Sequence, residues 1–257
     1  MSKRVPEISL LIPSFEDERI LTLLRGINDF PRENFEVVVQ DGGSQEDLLQ
    51  RVKENLASTD SLFIEKDEGI FDAINRGIEK CSGKYILTIG TDDIVTKESL
   101  KKISVAIQND HKMLFFTAVR MVSPISMELV RYWPLRRFSY LRVLCGMQYP
   151  HFGMVASKSI YKNRKFNTAN KINADYEFFY ELSKVIGKDD VGYVNDAEIT
   201  MRLGGTSTRS IAAIIGHQMR IVSFAFRRNP ILLIGLMLKP LYKAQEVLLA
   251  QVKRTAH

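Results

Sequence analysis

The chain has 257 residues, 45% hydrophobic and 26% charged, a composition that excludes a disordered or collagen-like polymer and suits one globular domain with an appendage. Two cysteines and four histidines, with no Cys-x-x-Cys, exclude a disulfide framework and a thiolate zinc site and fit a reducing, cytoplasmic compartment. The net charge of +6 is uneven, since Arg131, Arg136, Arg137 and Arg142, then Arg220, Arg227, Arg228, Lys239 and Lys243, sit among apolar residues, a pattern for an anionic partner surface. No helix-turn-helix, zinc finger or RNA-binding aromatic strand is legible, so phospholipid is favoured over nucleic acid.

In chain order, the start MSKRVPEISLLIP carries too short an apolar run for a secretory signal and reads as a strand over 8–12. Helices are predicted over 18–27, 47–56, 70–80 and 97–108, alternating with strands over 37–39, 62–64, 85–89 and 113–119. Continuous apolar strands of this kind predict a buried, mostly parallel sheet. Ser44 ahead of Asp47, and Thr96 ahead of Glu98 and Ser99, are expected to cap two of these helices. The stretch 121–148, with Pro124, Trp133 and Pro134, reads as a substrate-facing excursion of loop or short helices. A strand over 152–156, a helix over 173–185 and short strands over 191–194 and 198–201 follow. Beyond Ser207 the pattern is helical, broken at Pro230 and Pro240. No apolar stretch reaches the ~18 residues that cross a bilayer.

Four polar clusters fall at predicted element ends: Pro13-Ser14-Phe15-Glu16, Asp41-Gly42-Gly43-Ser44, Thr91-Asp92-Asp93 and Asn173-Ala174-Asp175-Tyr176-Glu177. Strand carboxyl ends are where open α/β sheets bind ligands. Asp-Gly-Gly-Ser reads either as a capping turn or as a nucleotide contact, in which the aspartate accepts from a base imide N–H and the glycines admit a flat ring. Thr91-Asp92-Asp93 sets like charges side by side, which is costly unless something uses them. A divalent cation, Mn²⁺ or Mg²⁺, bridging to a diphosphate would use them, and a solvated loop ahead of Thr96 is the other reading. Asp72, Asn75 and Arg76 share one helical face opposite Ile70, Ile74 and Ile78, a polar face either solvated or turned to a ligand. Gly77 inside that helix predicts close contact with the sheet. Neither G-x-G-x-x-G nor G-x-x-x-x-G-K-[ST] occurs, which weakens dinucleotide and P-loop readings.

Taken in this order, with Asp67-Glu68-Gly69-Ile70-Phe71-Asp72, Pro150-His151 and Gly204-Gly205-Thr206-Ser207, the clusters resemble the family 2 glycosyltransferases of GT-A fold, in the colanic-acid and O-antigen branch, over about residues 8–207. Phe15 and Glu16 stand where such enzymes commonly carry Tyr and Asn, and Thr91 where many carry Ser, Asn or Asp. The resemblance implies a donor site of Pro13, Ser14, Phe15, Glu16, Asp41, Asp67, Asp72, Asn75 and Asp92, with Asp41 facing the base, Asp92 near the ribose and Asp93 on a divalent metal. It implies Asp175 as the base that takes the acceptor's proton, and His151, Gly204 and Gly205 as contacts to acceptor or diphosphate. On the residues alone, Asp175 reads equally as a helix N-terminal charge, and His151 as a buried structural residue.

The expected architecture is α/β, a mostly parallel nucleotide-binding sheet flanked by helices over 1–207, followed by an amphipathic helical tail over 208–257. Tail segments 211–226 and 231–249 suit the interface of an anionic membrane, or packing on the domain or on a second copy of the chain. The expected function is inverting transfer from a nucleotide-sugar, UDP-sugar first, to a lipid-linked or oligosaccharide acceptor in surface-polysaccharide biosynthesis, on the inner face of the cell membrane. A sugar-phosphate nucleotidyltransferase would normally open with a glycine- and basic-rich loop, which 8–16 lacks. A non-catalytic membrane or polysaccharide-binding module would not turn over nucleotide-sugar.

Overall fold

β1 (Ile8–Ser14) is buried along its whole length, and its side chains alternate: Leu10 and Ile12 enter one core, Leu11 another. That period of two sets the layers of the molecule. A computed structural model describes residues 5–144, 149–171, 173–203, 223, 224 and 227. The chain runs on through α1 (Arg19–Asn28), β2 (Phe35–Asp41), α2 (Glu46–Glu54), β3 (Ser61–Ile64), α3 (Ile70–Lys80), β4 (Tyr85–Thr88), β5 (Ile94–Val95) and α4 (Lys97–Asn109). It continues with β6 (Leu114–Val122), β7 (Leu129–Trp133), α5 (Tyr140–Leu144), β8 (Met154–Ser157), α6 (Ala174–Ser183) and β9 (Val191–Arg202). The strands form a single sheet in the order β3-β2-β1-β4-β8-β6-β9-β5, with β7 on β6.

Helices cover both faces. The apolar stripes of α1, α2 and α4 pack on Ile8, Leu10, Val37 and Leu87, and those of α3, α5 and α6 on Leu11, Val38, Ile86 and Phe116. The central strands β1, β2 and β4 are buried from both sides, which is why their sequences read as near-continuous apolar runs. Thr96 caps α4 as expected, accepting from Ser99 N at 3.1 Å. Gly77 meets the sheet as expected: a Cβ there would stand 2.3 Å from Leu11 Cδ1 and 3.2 Å from Gln40 Cβ. Gly77→Ala is therefore expected to destabilise the protein by about 1–3 kcal/mol through overpacking, although alanine is the better helix former by roughly 1 kcal/mol. A urea midpoint equal to or above wild type would refute the close approach.

Several expectations need correction. β3, β2, β1 and β4 are all parallel, but β8 runs antiparallel to β4 and β6, and β5 and β7 are antiparallel to their partners. The parallel reading thus holds for the N-terminal half, while the rest of the sheet is mixed. The two short strands expected near the end are one, β9, whose register with β6 shifts between Phe116 and Ala118. Asp196 sits there at φ +59°, so the polar Asn195-Asp196 break reads as a turn in sequence while β6 carries the strand through a bulge. The excursion at 121–148 contains β7, half-exposed and, among the described residues, paired only with β6, so it has no continuous apolar pattern. Ser44 does not cap α2, because its hydroxyl is bound elsewhere (below). No helix among the described residues is long and apolar enough to cross a membrane. Cys145, the Gly204-Gly205-Thr206-Ser207 loop and the tail segments, apart from Ser223, Phe224 and Arg227, lie outside the described residues.

Candidate active site

The order β3-β2-β1-β4 puts the carboxyl ends of four parallel strands on one edge. The chain leaves β1 toward α1 on one face and enters β4 from α3 on the other, so a crevice opens between β1 and β4, where open α/β sheets bind ligands. Two clusters line this edge.

The first is the turn after β2. Asp41 is 1% exposed, and its carboxylate accepts from Gly43 N at 2.9 Å, Ser44 N at 2.7 Å and Ser44 Oγ at 2.8 Å. Three local donors hold it, so it shapes the turn, as the capping-turn reading of Asp-Gly-Gly-Ser expects. Ser44 Oγ in turn accepts from Glu16 N at 2.7 Å, while Glu16, at φ +48°, accepts from Gln45 N at 2.9 Å through its side chain. Glu16 is thereby tied to the start of α2 and does the capping expected of Ser44. Gly42 N donates to Ser14 O at 2.9 Å, joining β1 to the turn, and Pro13 is buried in β1 opposite Gln40. A Cβ on Gly42 would stand 2.6 Å from Asp67 Oδ2 and 3.2 Å from the Phe15 ring. Any side chain there would push the Asp67 carboxylate and the Phe15 ring aside. Phe15 is 62% exposed, an aromatic face open to solvent beside Asp67. Burial raises the Asp67 carboxyl above its usual range against the pull of the Gly69 N–H, and the Asp72 charge adds to the rise. Asp72 itself accepts from Glu68 N and pairs with Arg76 at 3.0 Å.

The second cluster spans the β1–β4 crevice. A Cβ on Gly90 would stand 3.1 Å from Asp93 Oδ2 and 3.4 Å from Asp92 Oδ1, so oxygens of both carboxylates lie beside this glycine. Asp93 is 6% exposed and takes Gly90 N at 2.7 Å. Burial pushes its carboxyl up to about 7, opposed by the Gly90 amide, reinforced by the Asp92 charge and eased by the Arg202 amide. Asp92 is bound across the crevice by Arg19, with Nη1 to Oδ2 at 2.6 Å. Arg19 also forks onto Asp17, at 2.8 Å through Nε and 2.7 Å through Nη2, and Thr91 Oγ1 donates to the same Asp17 carboxylate. Sequence reasoning missed Asp17 and Arg19; their signal is an Asp-x-Arg just past a strand end that carries a ligand cluster.

These carboxylates are the hard oxygen donors that Mg²⁺ or Mn²⁺ takes in ones and twos, the remaining ligands coming from phosphate and water. The described residues hold no group of three His, Cys, Asp or Glu side chains able to bind an ion alone; Asp92 and Asp93 supply carboxylate oxygens for a cation whose shell a diphosphate would complete.

Two expected site residues stand apart. Asn75 is 8% exposed and gives both ends of its amide to the Phe166 backbone, each at 2.9 Å, so it braces the fold. His151 is 6% exposed with its ring edge-on to Phe166 at 5.1 Å. Burial lowers its imidazole to about 4, which keeps it neutral. Both residues converge on Phe166, whose ring stacks on Phe71 of α3 at 5.7 Å and on Phe178 of α6 at 4.4 Å. Asp175 lies one turn before Phe178, in the first turn of α6. It accepts from Tyr176 N at 2.8 Å, yet burial pushes its carboxyl up to about 6, the range of a general base at neutral pH.

A glycine-shaped turn and an adjacent acidic pair on the parallel edge, with a separate carboxylate on a helix of the mixed half, define an enzyme of GT-A fold. The sequence profile of Glycosyl transferase family 2 matches residues 9–174, and the chain belongs to that family. An uncharacterized glycosyltransferase of Haemophilus influenzae is 24% identical over 213 residues, covering 80% of this chain and 83% of its own. Chondroitin synthase of Escherichia coli is 25% identical over 189 residues, covering 71% of this chain and 27% of its own. Among solved structures, Staphylococcus aureus TarS 1-349 with UDP superposes with a TM-score of 0.62 at 19% identity, over 77% of this chain and 61% of that one. The mannosyltransferase PcManGT of Pyrobaculum calidifontis, with GDP-Man and Mn²⁺, superposes with a TM-score of 0.61 at 16% identity, over 99% and 76%. The chain therefore spans most of the Haemophilus protein but about a quarter of chondroitin synthase.

Proposed function

We propose that the protein transfers a sugar with inversion from a nucleotide-sugar, UDP-sugar first, to a lipid-linked saccharide in surface-polysaccharide biosynthesis. The observation that carries this reading is the acidic pair over Gly90 beside the Asp41–Ser44 turn, on one edge of the parallel strands. The UDP bound to TarS and the GDP-Man and Mn²⁺ bound to PcManGT, on a shared fold, support it. Asp67 and the exposed ring of Phe15 take the base, Asp92 lies toward the ribose, and the Gly42 turn admits the nucleoside. A divalent cation held by Asp93 together with Asp92, and completed by the diphosphate, would neutralise the charge that grows on the leaving group. Asp175 accepts the proton of the acceptor hydroxyl as its oxygen bonds to the anomeric carbon. The bond from that carbon to the diphosphate oxygen breaks on the opposite face, and its electron pair leaves with the nucleoside diphosphate.

The test is a thermal-shift screen of nucleoside diphosphates and nucleotide-sugars with and without Mn²⁺, in which a ligand at 100 times its Kd stabilises by about 2.7 kcal/mol. No shift with any of them would overturn the reading. Within it, Asp67→Ala is expected to weaken UDP binding about tenfold, a charge-assisted hydrogen bond being worth roughly 1.5–3 kcal/mol, as read by calorimetry; unchanged binding would remove Asp67 from the donor site.

We further propose that the basic-aliphatic tail holds the enzyme on the inner face of an anionic membrane. Phe224 packs edge-on against Tyr176 at 5.8 Å and Tyr180 at 5.6 Å, so deleting the tail would also strip α6, and charge reversal is the cleaner probe. Arg227→Glu with Arg228→Glu is expected to cut sedimentation with anionic liposomes strongly and salt-dependently, each basic residue contributing about 1 kcal/mol near the surface. If wild type ignores such liposomes, the tail is a packing element or an interface between copies of the chain.

A further inference from the structure

Arg19 opens α1, a poor place for a cation, since the helix dipole there favours negative charge. Its position is set by side-chain pairing instead. Nε and Nη2 grip the two oxygens of Asp17, and the Asp17 carboxylate is further held by Arg19 N at 3.1 Å and by Thr91 Oγ1. With two of its nitrogens fixed in this fork, the guanidinium presents Nη1 to Asp92 Oδ2 at 2.6 Å. An exposed ion pair usually gains little because two long side chains must be ordered to form it. Here Asp17 has already ordered the arginine. The bridge crosses the β1–β4 crevice, and Arg19's side chain remains 54% exposed while that of Asp92 is 16% exposed, so the guanidinium faces whatever enters.

We propose that Arg19 is a resident counter-cation of the donor site: held by Asp17, in the empty site it occupies the Asp92 carboxylate through Nη1 in competition with a divalent cation, and on donor entry the free edge of the guanidinium exchanges Asp92 for the diphosphate and releases that carboxylate. This rests on the donor-site reading above. Two consequences of opposite sign follow. Removing the guanidinium frees a carboxylate oxygen and takes a positive charge from beside the cation's seat, so the cation alone binds better. It also takes a planar two-hydrogen-bond donor from the diphosphate, so the nucleotide alone binds worse. A residue that merely supported the shape of the site would weaken both.

The experiment measures Mn²⁺ alone by electron paramagnetic resonance, and UDP alone, in chelator, by calorimetry. Arg19→Ala is expected to tighten Mn²⁺ binding about fivefold and to weaken UDP binding about tenfold, on the Coulombic and hydrogen-bonding scales above. Arg19→Lys, which keeps the charge and the fold but loses the fork, is expected to leave Mn²⁺ binding near wild type while UDP binding falls about threefold. Changes of the same sign in Arg19→Ala, or no change in either ligand for both variants, would overturn the proposal and leave the donor site standing. Wild type that binds neither UDP nor Mn²⁺ would overturn the donor-site reading and this inference with it.

Discussion

Asp175→Asn is expected to lower kcat by 10² to 10⁴, the usual contribution of a positioned general base, while UDP affinity stays within twofold of wild type. The two sites are distinct in the fold: Asp175 stands on α6, whereas the donor clusters stand on the β1, β2 and β4 edge. Because burial pushes the Asp175 carboxyl up to about 6, the wild-type rate is expected to fall tenfold per pH unit below that value. The stability of the fold carries a second signature. A carboxyl whose pKa is higher folded than unfolded binds its proton more tightly in the native state, so its contribution is fully present near pH 4 and is lost as pH rises through 6. Asp175→Asn carries no such loss and is expected to be more stable than wild type at pH 7 by on the order of 1–2 kcal/mol, with the advantage gone near pH 4. Near-normal transfer by the variant would remove Asp175 from the chemistry. A variant less stable at pH 7 would instead make its carboxylate a structural group.

Phe166→Ala is expected to cost about 3–5 kcal/mol in urea unfolding, as for other buried aromatics cut to alanine, out of a total that in domains of this kind is about 5–15 kcal/mol. Phe166 is 2% exposed and stands between Phe71 and Phe178 while its backbone holds the Asn75 amide. This column joins α3, which follows the Asp67 loop, to α6, which carries Asp175. The variant is therefore expected to lose kcat as well as stability, and Phe166→Leu, which keeps most of the volume, to recover most of both. A loss below about 1 kcal/mol in Phe166→Ala would show that α3 and α6 are held by other contacts.

Much of this molecule was legible in one dimension. The helix over 70–80 has the bounds observed for α3, and every strand of the parallel half was found; β1, β2 and β4 are buried on both faces and so write apolar runs that need no partner to be recognised. Gly77 announced its contact with the sheet, because an interior helical glycine carries a local cost that only packing repays. The acidic pair and the Asp-Gly-Gly-Ser turn were legible as clusters at strand ends, since contiguous charge and positive-φ residues are local features.

What each polar group does within those clusters was decided by distance across the fold. The sequence leaves Asp41 between a capping turn and a nucleotide contact, and the fold shows it held by its own turn; Glu16, expected among the donor contacts, closes the start of α2. Asn75 and His151 carried polar chemistry in sequence but lie in the core around Phe166, 91 and 15 residues away respectively. Arg19 meets Asp92 across 73 residues, a separation at which no periodicity or spacing rule has reach. β5, β7 and the bulged β9 share that cause: an edge or bulged strand is defined by the strand it pairs with. The sequence by itself thus determined the elements and the residue types at the strand ends, because those are set by local sterics and by burial of contiguous side chains. Only the tertiary structure decided which carboxylates are held by backbone amides and which face the crevice, because hydrogen-bond saturation depends on partners brought together by the sheet.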